Sequence, residues 1–191
     1  MKKYLVFLGI YGILFQVLLT FFVFGRNEEF VAVKMLWSLI LFWIVVCGYL
    51  MHFYRDNFSR FFNNIKLKFL LKFVLFSSIF VLVEEGIATG INYYFYLNTG
   101  VSALTASTNY FEVIFKHSLV ALVPLFIVFG LYLKKYKPSP EKAFLIFGIV
   151  GVFAETTVGG LLSLLQAGMW IFVYGLMIYL PYYSFFKVSK N

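Results

Sequence analysis

Six apolar runs, at about 4–24, 31–54, 71–97, 112–133, 143–166 and 169–186, take up most of the 191-residue sequence. A helix needs about 20 mostly apolar residues to cross a bilayer, and each run is that long or nearly so. The spacing therefore predicts an all-α, polytopic membrane helix bundle: six transmembrane helices in one integral membrane domain, 1–191. Composition agrees, with 62% hydrophobic and 13% charged residues; water-soluble domains sit near half and a quarter. The first run exceeds the usual apolar core of a secretory signal and is followed by no small-residue cleavage site, so it reads as a retained helix.

The connections predict the orientation. Arg55, Arg60, Lys66, Lys68 and Lys72 lie between the second and third runs, and Lys134, Lys135, Lys137 and Lys142 between the fourth and fifth. Lys2 and Lys3 precede the first run, and Lys187 and Lys190 follow the last. The stretches "LNTGVSALTASTNY" and "LQAGM" carry no charge, and "GRNEEF" is net acidic. With six crossings all four basic segments fall on one side, and the positive-inside rule puts both termini in the cytoplasm. The +8 formal charge thus reads as membrane orientation rather than nucleic-acid binding. The segment 55–70 reads as an interfacial amphipathic stretch, with Phe58, Phe61, Phe62, Ile65 and Phe69 dipping into the lipid boundary. Pro138 and Pro140 stiffen the fourth connection. A single cysteine, Cys47, allows no disulfide within the chain.

Carboxylates interrupt two of the runs. Glu84 and Glu85 sit inside "SSIFVLVEEGIATGINYYFYL", and Glu155 inside "KAFLIFGIVGVFAETTVGG". A charged group at the bilayer centre costs about 2.5–3.5 kcal/mol on insertion scales, so these side chains are expected to face the bundle interior. Helical spacing puts Ser78, Glu85, Thr89 and Asn92 on one face of the third helix, with Ser77 and Glu84 one residue round. Gly151, Glu155, Gly159 and Ser163 recur every fourth residue of the fifth run, a small-residue stripe that admits a close helix neighbour. In the fourth run Glu112 and Lys116 are spaced to pair, and His117 comes within reach of Glu84–Glu85, with Pro124 deeper. His52, beside Arg55, reads as an interfacial residue. Trp170 and the aromatic excess read as membrane-interface belts, and Pro181 as a kink or end of the last helix.

A repeat is suggested by alignment of 72–90 with 142–160. Lys72, Leu75, Ile79, Glu85 and Gly90 fall on Lys142, Leu145, Ile149, Glu155 and Gly160. Aligned the same way, 3–16 puts Gln16 on Glu155. In each case a polar side chain follows a lysine by 13 residues, roughly 20 Å along a helix. Three helical hairpins would bring Gln16, Glu85 and Glu155 to one polar spot.

Glu84–Glu85 with the later His117 resembles the intramembrane CAAX-type prenyl proteases, although that pattern's arginine and phenylalanine are here Thr89 and Val113 and a second histidine is absent from the last two runs. Gly86, Thr89, Gly90, Tyr93 and Tyr96 are similar to the Gly-x-x-Thr-Gly stretch of membrane carotenoid-modifying enzymes. Each resemblance covers about one helix. The catalytic candidates are Glu84, Glu85, His117 and Glu155; Glu84, Glu85 and His117 are also the candidates for holding a metal, and Thr89 and Asn92 for binding substrate.

No phosphate-binding loop, nucleophile elbow, His-Glu-x-x-His zinc motif or dinucleotide fingerprint is present, and no cofactor is implied by the residues alone. Three readings follow. The first is an intramembrane enzyme using acid–base or metal-assisted chemistry on a lipid or isoprenoid-like substrate; the others are a proton- or cation-coupled transporter or channel, and a structural membrane subunit.

Overall fold

The computed structural model describes residues 2–188, and every regular element among them is helical. Lys190 lies outside the described residues. Six long helices follow in order: α1 Lys2–Phe22, α2 Asn27–Asn64, α3 Phe69–Thr99, α4 Tyr110–Tyr136, α5 Pro140–Gly159 and α6 Ala167–Val188. Four of them, α1, α2, α4 and α6, are long and apolar enough to cross a membrane. The two outside that set, α3 and α5, carry the buried glutamates. Phe7, Ile10, Leu14, Leu18 and Phe21 of α1 and Leu41, Phe42, Val45, Tyr49 and Phe53 of α2 are exposed. Continuous apolar surface of this kind suits lipid rather than water, and the bundle fits a multi-pass membrane protein.

Local chemistry sets several boundaries. Asn109 opens α4 by accepting from the backbone N–H groups of Phe111 and Glu112, and Ser139 opens α5 with Pro140 behind it; both satisfy otherwise orphaned donors. Gly100, at φ 76°, closes α3 in the left-handed conformation open to glycine.

The fifth and second helices depart from the sequence spacing. Gly160 has φ 68° and ψ −162°, a region that side-chain-bearing residues avoid. It ends α5 early, and Leu161–Leu165 forms a separate short helical turn. Ser163 therefore does not continue the Gly151–Glu155–Gly159 stripe. In turn, α2 does not stop near residue 54. It runs on through the basic segment to Asn64, passing through a π-helical stretch at Ile40–Cys47. The expected interfacial segment is thus largely the end of α2. Phe62 is buried and Phe58 packs on Phe76 and Phe80 of α3, while Phe61 stays exposed. Lys72, counted among the orienting charges, is buried. It donates to the carbonyls of Phe62 and Ile65 at 3.0 and 3.3 Å, which satisfies the open end of α2. Pro181 lies within α6, which continues to Val188.

Helix α6 is the central element, packed by α1, α2, α3 and α5. Its contact with α5 depends on missing side chains: a Cβ on Gly148 would lie 2.6 Å from the Ile171 carbonyl oxygen, and one on Gly151 2.1 Å from the Tyr174 ring. The basic connections gather at one end. Lys187 pairs with Asp56 at 2.8 Å, Asn63 donates to the Ser184 carbonyl at 3.2 Å, and the Tyr182 hydroxyl reaches the Pro138 carbonyl. Deeper in, Phe73, Phe126, Phe129 and Phe147 form a buried ring cluster with centroids 4.9–6.3 Å apart.

Candidate functional site

Glu84 and Glu85 from α3 and Glu155 from α5 line one cavity of about 410 Å³. The walls are completed by His117 and Ser118 of α4, by Trp170 and Tyr174 of α6 and by Leu104–Ala106 of the connection between α3 and α4. Glu84 is buried and Glu85 half-buried. Leu39, Leu122, Val173 and Met177 make much of the remaining wall apolar.

Two of the three carboxyls have an identified donor. Glu155 accepts from the Tyr174 hydroxyl at 2.5 Å, and Glu85 accepts from the Ser118 hydroxyl. His117 lines the same cavity as Glu84 and Glu85, as expected, while the hydrogen bond to Glu85 comes from its neighbour Ser118. A π-helical stretch, Val113–Ser118, turns Ser118 inward onto Glu85 and leaves His117 exposed at the rim; such bulges re-aim side chains and are common at functional sites. Glu112 pairs with Lys116 at 2.9 Å, as the spacing predicts, and also accepts from Ser107.

The remaining expected residues divide. Trp170 lines the cavity, and its buried indole N–H has no hydrogen-bond partner among the described residues. Gln16 does not reach the cavity. It is buried between α1 and α2, with its amide 3.4 Å from the Val33 carbonyl, so it does not join Glu85 and Glu155 at the expected polar spot.

Thr89 and Asn92 are both buried, and neither is among the cavity-lining residues. The Asn92 amide donates to Ser102 and Thr105 at 3.0 and 2.9 Å and accepts from the backbone of Ala103 and Leu104 at 3.1 and 3.2 Å. Those four bonds use its full capacity and fix the loop whose residues Leu104–Ala106 line the cavity. Tyr93 and Tyr96 are exposed. Among the described residues no group of three or more His, Cys, Asp or Glu is arranged to hold a metal ion, so Glu84, Glu85 and His117 do not form a ready metal centre.

Sequence reasoning missed Ser118, Tyr174 and the inward role of Trp170. A signal existed for the last two: Trp170 and Tyr174 are four apart on α6 and so share one face of the helix.

No protein-family model, curated protein or solved structure matches the chain. The two resemblances of the sequence accordingly rest on their quoted residues alone.

Proposed function

We propose that the chain is an intramembrane enzyme that transfers protons to or from a lipid or isoprenoid-like substrate held against Glu84, Glu85 and Glu155. The supporting observation is that three carboxyls from two helices share one cavity whose walls are otherwise largely apolar. In this reading Glu85 is the proton-transferring group, poised by Ser118, and His117 at the rim exchanges protons with the medium. Glu155, held by Tyr174, and the faces of Trp170 and Tyr174 stabilise positive charge that develops on the substrate. Six crossings, a single domain and cytoplasmic termini complete the proposal; the cavity then opens on the non-cytoplasmic side, under the 100–109 loop.

A transport reading has one observation in its favour: α5 breaks at Gly160, five residues beyond Glu155, and interrupted helices beside buried charges are common in transporters. The buried cluster of Phe73, Phe126, Phe129 and Phe147 weighs against it, because it lies between the cavity and the basic end. A one-sided acidic pocket suits a reaction better than a path.

The test compares lipids extracted from isolated membranes that contain the wild-type chain or Glu85→Gln, after incubation in deuterated water. At least one lipid should gain deuterium only with the wild type, while both proteins elute alike on size exclusion. No difference in any lipid, together with proton flux into proteoliposomes that Glu85→Gln abolishes, would replace the enzyme reading with transport.

A further inference from the structure

A second cavity, of about 380 Å³, lies between α1, α2, α5 and α6 at the basic end of the bundle and shares no residue with the glutamate cavity. On α2 it is lined by Ile44, Gly48, His52 and Arg55, a series that steps by three or four residues and so forms one stripe. The stripe is apolar toward the bundle centre and polar at the end. A cleft with apolar lining continues inward, sharing Ile44 and Phe172 and reaching Gly12 and Met169. From Tyr183 to Met169 the groove follows 14 residues of α6, roughly 21 Å at helical rise. One leaflet of hydrocarbon is about 15 Å, half the usual core thickness.

The polar mouth holds opposite charges that do not neutralise each other. Among the described residues Arg55 is in no ion pair, because the adjacent Asp56 is taken by Lys187 at 2.8 Å. Arg55 Nη1 lies 3.2 Å from His52 Nδ1, and its guanidinium stacks over Tyr183 at 5.5 Å. An arginine N–H donating to Nδ1 leaves the imidazole proton on Nε2, so both side chains offer donors. Glu141 lines the same mouth.

We propose that this cavity binds one amine-bearing membrane phospholipid, with its phosphate on Arg55 and His52, its ammonium group on Glu141 and one acyl chain in the apolar cleft. A guanidinium suits phosphate because its fork of N–H groups matches two oxygens. Glu141 supplies the selectivity: a lipid whose only charge is the phosphate meets the carboxylate unpaired, whereas a zwitterion satisfies both. The proposal needs only the membrane setting of the bundle and is independent of chemistry at the glutamates.

Native mass spectrometry of the full chain in detergent tests it, with added phosphatidylethanolamine, phosphatidylglycerol or inorganic phosphate. The wild type should retain the ethanolamine lipid over the glycerol lipid, and excess inorganic phosphate should not displace it. Arg55→Gln should weaken retention roughly tenfold, the loss expected for charge-assisted hydrogen bonds, and Glu141→Gln should remove the preference between the two lipids. Arg55→Lys keeps the charge and reports on folding; it should fall between. Equal retention by wild type and Arg55→Gln, equal or better retention of phosphatidylglycerol by the wild type, or displacement by inorganic phosphate would each overturn the proposal.

Discussion

Asn92 shows how far a side chain's position can mislead about its role. A polar residue in an apolar run is conspicuous, and its spacing from Glu85 placed it correctly on the inner side of α3. What spacing cannot carry is the partner: the loop that Asn92 binds is ten or more residues ahead in the chain. Replacing Asn92 by Ala leaves the Ala103 and Leu104 N–H groups without their acceptor, at about 1–3 kcal/mol for each group that stays buried. The variant should melt earlier in detergent, and hydrogen exchange should rise at 101–106 while the α5–α6 contact keeps its protection; unchanged exchange in the loop would mean that the clamp is dispensable. The same limit explains the rest of the site. Glu84, Glu85 and Glu155 were legible because charge in a lipid-compatible run demands an explanation. Ser118, Trp170 and Tyr174 were not, because hydroxyls and aromatics are ordinary in membrane helices and acquire a role only from what they touch.

At the scale of helices, the apolar runs located all six long elements, and the errors fell where a boundary depends on something other than hydropathy. Helix α2 overran its apolar segment because 55–64 contains no proline or glycine to stop it and its inner aromatic face packs on α3. Helix α5 stopped short because Gly160 adopts a backbone conformation that the sequence permits without announcing. The glycines of the α5 stripe carry a direct test. A methyl on Gly151 would collide with the Tyr174 ring, at 2.1 Å, whereas one on Gly90 would meet nothing within 4 Å. Gly151→Ala should cost about 1–3 kcal/mol, the usual range for overpacking, and should displace Tyr174 from Glu155. Gly90→Ala should be neutral or slightly stabilising, by up to about 1 kcal/mol of recovered helix propensity. Thermal unfolding of the two variants in the same detergent distinguishes them; equal melting temperatures would mean that α5 and α6 do not depend on the missing side chain.

For the whole molecule, the distribution of charge and the packing point the same way. The basic segments are far apart in sequence, yet contacts from Asp56 to Lys187, Asn63 to Ser184 and Tyr182 to Pro138 draw three of them to one end. Lys72 is used up in satisfying carbonyls, so the orienting charge between α2 and α3 rests on its exposed neighbours, Lys66 and Lys68. Near a membrane surface such charges favour the cytoplasmic side. Cysteines placed singly at Lys66, Ser102 and Ser139, in a chain carrying Cys47→Ala, separate the alternatives. Only α3 lies between Lys66 and Ser102, and only α4 between Ser102 and Ser139. An impermeant thiol reagent applied to intact cells should therefore label Ser102→Cys and miss the other two until the membrane is opened. The reverse pattern would invert the orientation and turn the glutamate cavity toward the cytoplasm. Labelling at Lys66→Cys and Ser102→Cys alike would mean that α3 enters the bilayer without crossing it, and the three carboxyls would then belong to a re-entrant element rather than to a six-helix bundle.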